Sequence, residues 1–257
     1  MTDLDRPKLP RRRFRFSLRT LLVSIALLSL PLSWIGWNMR QAARQRESVE
    51  EIRKEAGFES IRYDWQYTSG PDGGWRIPWP NWLRKQLGDD FFYRVVYVRS
   101  LKTNAGLAHL ENLQHLRELD LWTYDSEVTD AGLQHIKGLS QLEVLSLRAT
   151  KATDAGLEHL RGLSRLRTLN LSQTQFAGTG FQHLKGLKQL RDLDLSRTLV
   201  SDVGLAHLKE LKQLESLNLW ATQVTDAGLE HLHGLDQLRS FDVNVNVVTN
   251  AGLLKLQ

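Results

Sequence analysis

Six histidines recur along the 257-residue chain: His109, His135, His159, His183, His207 and His231. Regularly spaced imidazoles invite a metal reading, because imidazole ligates zinc, copper and nickel. The spacing argues against it. Each histidine falls on its own short helix, and packed helices lie about 8–10 Å apart. No repeat adds a second ligand at HxxxH spacing, and the close pair His231 and His233 is unaccompanied. Histidine edging a core helix is the expected role, and no metal or other cofactor is expected. Cysteine is absent, which excludes thiolate metal sites, a cysteine nucleophile and a disulfide framework. Phosphate loops, dinucleotide fingerprints and GxSxG elbows are absent as well. The carboxylates that recur, Asp130, Asp154, Asp202 and Asp226, each follow a Thr or Ser just before a glycine. That is a helix-start signal, so they read as cap residues. Nothing here marks an enzyme.

Two other groups carry chemistry without an evident packing role. Trp65, Trp75, Trp79 and Trp82 fall within 18 residues, beside the loop Gly70-Pro71-Asp72-Gly73-Gly74. They are expected to cover the open end of a core, although such a cluster can also stack sugars or bases. The second group belongs to short L-x-L runs. The residue between the leucines is Asp120, Ser146, Asn170, Asp194, Asn218 and Asp242 in turn; the residue after them is Trp122, Arg148, Ser172, Ser196, Trp220 and Asn244. Exposed tryptophan and arginine are enriched where proteins bind each other. Trp122, Arg148, Arg197 and Trp220, with Asp120 and Asp194, are the candidate partner contacts.

The elements that must position these residues follow from an internal repeat. Gly106, Gly132, Gly156, Gly180, Gly204, Gly228 and Gly252 are spaced by 26 and then by 24 residues throughout. Aligning on glycine yields the unit LxxLxLxxTxxTDAGLxHLxGLxx. L-x-L has period 2, the mark of a strand with one buried face. Leu157, Leu160 and Leu163 bury one side of a short helix. One strand and one helix per unit make a parallel ladder, and no unit can bury its apolar face alone, so the units must stack. Seven strands at about 4.8 Å would present a face roughly 30 Å long. One unit has two extra residues, around Tyr124-Asp125-Ser126-Glu127, and another replaces the Thr-Asp cap at Phe176-Ala177-Gly178-Thr179-Gly180-Phe181.

The LxxLxLxxT/N core resembles the leucine-rich repeat family, with Thr150, Thr174, Thr198, Thr222 and Asn246 in that family's Asn/Cys column. The resemblance implies an α/β leucine-rich repeat solenoid, a parallel strand ladder with short helices on its convex side. It also implies that those side chains tie loops together across successive repeats. The TDAGLxHLxGL form is similar to 24-residue repeats of planctomycete bacteria. Residues 15–22, Arg-Phe-Ser-Leu-Arg-Thr-Leu-Leu, resemble the opening of their membrane-anchored members.

The charge distribution agrees with an anchor. Residues 1–100 hold 18 Lys+Arg and 11 Asp+Glu; residues 101–257 hold 16 and 18. The repeats are slightly acidic, so no nucleic acid is expected as a partner. The basic excess precedes an uncharged run, residues 20–39, that as a helix would span about 30 Å, the apolar thickness of a bilayer. Trp34 and Trp37 sit where an interfacial belt would lie. A cleaved signal peptide competes, but only Ser33 offers a small residue near a cut site. The layout expected is a basic cytoplasmic tail (1–19), a transmembrane signal-anchor helix (20–39), a charged helical stalk (40–56), a Trp-rich cap (57–91) and a repeat solenoid (92–257) outside the cytoplasm. Such a protein would be a scaffold that binds another protein. An envelope component using the Trp-rich cap, and a soluble adaptor resembling F-box ubiquitin-ligase receptors, are the alternatives. No F-box is present, and the apolar run speaks against the second.

Overall fold

The computed structural model describes residues 18–67, 80–243 and 248–254; the side chains of residues 18–28, 30, 31, 58, 65, 67 and 253 also fall outside the description. The chain divides into two units, residues 1–41 and 42–257. A 39-residue helix, α1 (Leu18–Ala56), contributes to both.

In the first unit, α1 exposes Leu32, Trp34, Ile35, Trp37 and Met39, and Asn38 Nδ2 donates back to Trp34 O at 3.0 Å. Among the described residues, no helix is long and apolar enough to cross a membrane. Most of the expected anchor, residues 20–28, 30 and 31, has side chains outside the described set.

The second unit is the stacked ladder that the leucine columns predict. Among the described residues, eight strands lie in sequence order in one sheet: β1 (Ile61–Tyr63), β2 (Val95–Arg99), β3 (Glu118–Asp120), β4 (Val144–Ser146), β5 (Thr168–Asn170), β6 (Asp192–Asp194), β7 (Ser216–Leu219) and β8 (Ser240–Val243). From β2 onward all are parallel, and Leu119, Leu145, Leu169, Leu193, Leu217 and Phe241 pair one to one. A slip of one residue would turn a leucine column outward, so the pattern pins the register. The convex side is made of helical turns of three to seven residues. Many of them are 3₁₀, such as Asp154–Leu160 and Phe181–Gly186.

Residues 42–56 are helical, as their composition predicts, but they do not stand clear as a stalk. Ala42, Gln45, Val49 and Ile52 form a buried stripe at helical spacing against the first repeats. Gln45 Nε2 donates to Tyr93 O at 2.8 Å, its Oε1 accepts from Val95 N at 3.3 Å, and Ser48 Oγ accepts from Asn112 Nδ2 at 3.2 Å. β1 stops at Tyr63 and runs antiparallel to β2, followed by a 3₁₀ turn, Asp64–Tyr67. The open end of the core is thus covered by α1 and β1. Of the four cap tryptophans, Trp82 is exposed on α2 (Asn81–Leu87). Trp75, Trp79 and the side chain of Trp65 lie outside the described residues.

Candidate functional site

Successive side chains on a strand alternate between faces. With the leucines inward, the residues between them line the concave face and the tryptophan-arginine row lies along the strand ends. Asp120, Asn170, Asp194 and Asn218 each turn their Oδ1 onto the backbone N–H two residues later, at Trp122, Ser172, Ser196 and Trp220, at 2.8–3.1 Å. This local turn is what short carboxamide and carboxylate side chains do best. Asp120 and Asp194 therefore also hold the strand ends in place. Each of the four side chains fixes the residue two positions later, which for Asp120 and Asn218 is a candidate tryptophan.

The next position adopts the left-handed region without glycine: Ala149, Gln173, Arg197 and Ala221 have φ of 55–59°. That conformation costs an L-residue about 1–2 kcal/mol. It turns the chain while keeping the N–H in the ladder: Ala149 N reaches Ser172 O at 3.0 Å, Gln173 N reaches Ser196 O at 3.0 Å, and Arg197 N reaches Trp220 O at 2.8 Å. The threonines that follow close the turn. Thr150, Thr198 and Thr222 donate their hydroxyls to Leu147 O, Leu195 O and Leu219 O at 2.6–2.7 Å, and Thr174 does the same to Leu171 O. The resemblance implied ties between repeats at this column; threonine is too short for that and bonds within its own repeat. Asn246 lies outside the described residues.

This scaffold brings the candidate residues together in two pairs. The Arg148 guanidinium lies over the Trp122 ring at 5.1 Å, and Arg197 lies over Trp220 at 4.8 Å. Both distances suit a cation–π contact. Tyr124, in the two-residue insertion, packs on Trp122 with ring centroids 5.2 Å apart and is 96% exposed. The sequence placed Tyr124 in a bulge and gave it no role; an aromatic two residues after an exposed tryptophan was the available signal. The two tryptophans are four strands, roughly 19 Å, apart. Ser172 and Ser196 form a low floor between them, and Arg148 Nε approaches Gln173 Oε1 at 3.4 Å.

The recurring aspartates are not the helix caps expected: Thr or Ser holds the N-cap position, and the aspartates, first in their helices, bond the next repeat. Thr153 N and Oγ1 both donate to Asp130 at 2.7 Å; Thr225 does the same to Asp202 at 2.7 Å; Thr249 binds Asp226 at 2.8 and 2.6 Å. These bonds join each repeat to the next. Asn104 plays the part toward Thr129, and Glu55 of α1 does so toward Lys102 N and Thr103 N at 2.7 and 2.8 Å. Asp154 instead accepts from the amides of Ala177, Gly178 and Gly180. The glycine column follows: a Cβ at Gly132, Gly156, Gly228 or Gly252 would land on the Oδ1 of the preceding repeat's Asn104, Asp130, Asp202 or Asp226.

Among the described residues no group of three or more His, Cys, Asp or Glu is placed to hold a metal. His135 Nδ1 lies 2.6 Å from Glu111 Oε1. His183 Nδ1 accepts from Arg161 Nε at 2.8 Å, and burial together with that guanidinium holds its pKa below the usual histidine value.

No protein-family model matches the sequence, and no curated protein matches it. Among solved structures, the chain is similar to an internalin (inlF) of Listeria monocytogenes, with 24% identity and a TM-score of 0.50 over 63% of this chain and 52% of that one. It is similar also to internalin C2 of the same organism, with 23% identity and a TM-score of 0.47, covering 65% of this chain and 78% of that one. A leucine-rich repeat protein of Leptospira interrogans shares 21% identity with a TM-score of 0.48, covering 58% and 36%. The chain spans about half the length of the first internalin. What the similarity to the first internalin carries is the fold alone, and it agrees with the ladder and its columns in giving a leucine-rich repeat solenoid.

Proposed function

We propose that this chain is a non-enzymatic scaffold that seats a protein partner on the concave face of its repeats. The observation that carries this reading is the pair of arginine-capped tryptophans, Trp122–Arg148 and Trp220–Arg197, facing each other across a serine floor. Leucines in this fold are explained by packing; an exposed Trp220 and an exposed Tyr124 are not. Indole and guanidinium supply large contact area with little side-chain ordering cost, which is why they dominate binding hot spots. We further propose that residues 20–39 anchor the chain in a membrane, with the N-terminus cytoplasmic and the repeats outside. The arginine-rich flank and the exposed Trp34 and Trp37 support that orientation.

A photo-crosslinking residue placed at Ser196 in the native membrane should trap a partner that the same residue at Arg161, on the convex side, does not. Trp122→Ala and Trp220→Ala should each reduce the yield without changing the unfolding midpoint. Equal trapping from both sides would end the concave-face reading. Protease added outside intact cells should digest the repeats; protection of the repeats would overturn the topology.

A further inference from the structure

The residue that follows the first strand leucine column is Arg117, Glu143, Arg167, Arg191, Glu215 and Arg239 in successive repeats. These six are direct neighbours, because the amide of each donates to the carbonyl of the one before at 2.7–2.8 Å: Glu143 to Arg117, Arg167 to Glu143, Arg191 to Arg167, Glu215 to Arg191 and Arg239 to Glu215. Sign alternates at every step except one. Arg167 and Arg191 stand side by side, about 4.8 Å apart along the ladder. Each turns toward the acid on its other side, Arg167 to Glu143 at 3.9 Å and Arg191 to Glu215 at 2.9 Å. Like charges facing each other on adjacent strands repel.

A groove of about 370 Å³ lies at that step, lined by Arg167, Lys188, Gln189, Arg191 and Gln213. Three cations and two amides line it, with no carboxylate. The surrounding sequence has the same bias: residues 161–191 carry Arg161, Arg165, Arg167, Lys185, Lys188 and Arg191 and no Asp or Glu, within a repeat domain that is otherwise slightly acidic. Lys188 lies 3.7 Å from Glu210, and all three cations keep about half of their side-chain surface open to solvent.

We propose that the Arg167–Arg191 step is a carboxylate-binding site, and that its occupant is an acidic peptide segment of a partner protein. Glutamate is what the column itself places between arginines elsewhere, and a guanidinium presents parallel N–H donors that match a carboxylate. Lys188 adds a point charge, and the Gln189 and Gln213 amides supply neutral donors. The site stands on the strand-entry edge, away from the tryptophan row, so it does not depend on the concave-face reading.

The test is a titration of the detergent-solubilised full chain with a fluorescent hexaglutamate peptide. Binding should weaken at least about tenfold in Arg191→Gln, and by less than about twofold in Arg239→Gln, which removes an equal charge from the same column. Trp122→Ala should leave it unchanged. All substituted residues are solvent-accessible, and an unaltered thermal midpoint certifies the fold of each variant. Equal losses in Arg191→Gln and Arg239→Gln would reduce the effect to general charge attraction and overturn the site. Saturation by polygalacturonate at lower carboxylate concentration than by the peptide would overturn the choice of a peptide.

Discussion

Thr225 donates both its backbone N–H and its hydroxyl to the carboxylate of Asp202, 23 residues earlier, at 2.7 Å each. The Cα of Gly228 leaves room for that carboxylate, since a Cβ there would land on Asp202 Oδ1. Asp202→Ala should therefore destabilise the solenoid by about 2–3 kcal/mol, the scale of a charged hydrogen bond with a partner left unsatisfied. Gly228→Ala should cost a similar amount by expelling the carboxylate. In the double variant the two costs should fall well short of adding, as urea unfolding of all four proteins would reveal. Full additivity would mean that the glycine is kept for another reason.

One repeat junction lacks this clamp, because Gly178 stands where its neighbours have Asp. Restoring the repeat consensus with Gly178→Asp should destabilise rather than help. Gly178 has φ +94, a conformation unfavourable to any side chain, and a Cβ would press on Gly204 Cα at 2.7 Å. A fall in thermal midpoint is expected; a rise would show that the junction can be rebuilt on the common pattern.

The left-handed column gives a substitution with the opposite sign. Ala149 is half-buried at φ 56°. Ala149→Gly removes the Cβ penalty of that conformation and should raise stability by about 0.5–1 kcal/mol, despite the greater chain entropy glycine brings to the unfolded state. Chemical denaturation decides between the two terms.

His183 supplies the pH-dependent prediction. Its pKa is lowered in the folded chain, by burial first and the Arg161 charge second, so the fold prefers the neutral ring. Stability from this source is complete above the ordinary histidine pKa and is lost as pH falls through the folded value. Since Nδ1 accepts from Arg161 Nε, the proton of the neutral ring resides on Nε2. NMR titration should find that tautomer, and Arg161→Ala should move the midpoint back up.

Much of the ladder was legible because its leucines obey two periods at once, 2 within a strand and 24 between repeats. The pairing of Arg148 with Trp122 and of Arg197 with Trp220 was foreshadowed only as membership of one surface. Arg197 meets Trp220 from a left-handed turn, which no residue type announces. Glu55 was hidden for a different reason. It lies in a charged helix that reads as solvated, and only the fold shows that its longer side chain completes the clamp series at the first repeat. The aspartates read as helix caps because local capping and bonds to the next repeat use the same residue types.

The clamp also sets how such a chain can change its length. The repeats that carry the clamp present the same carboxylate forward and the same Thr and Gly backward, as Asp202–Thr225 and Asp226–Thr249 do, so those junctions are interchangeable. Excising residues 203–226 would deliver Asp226's successor residues to Asp202, with Thr249 and Gly252 arriving where Thr225 and Gly228 had been. Gain or loss of whole 24-residue units preserves the clamp and the leucine register, whereas 23 or 25 residues would break both. Recombination between repeats can thus resize the strand ladder without passing through an unfolded ancestor.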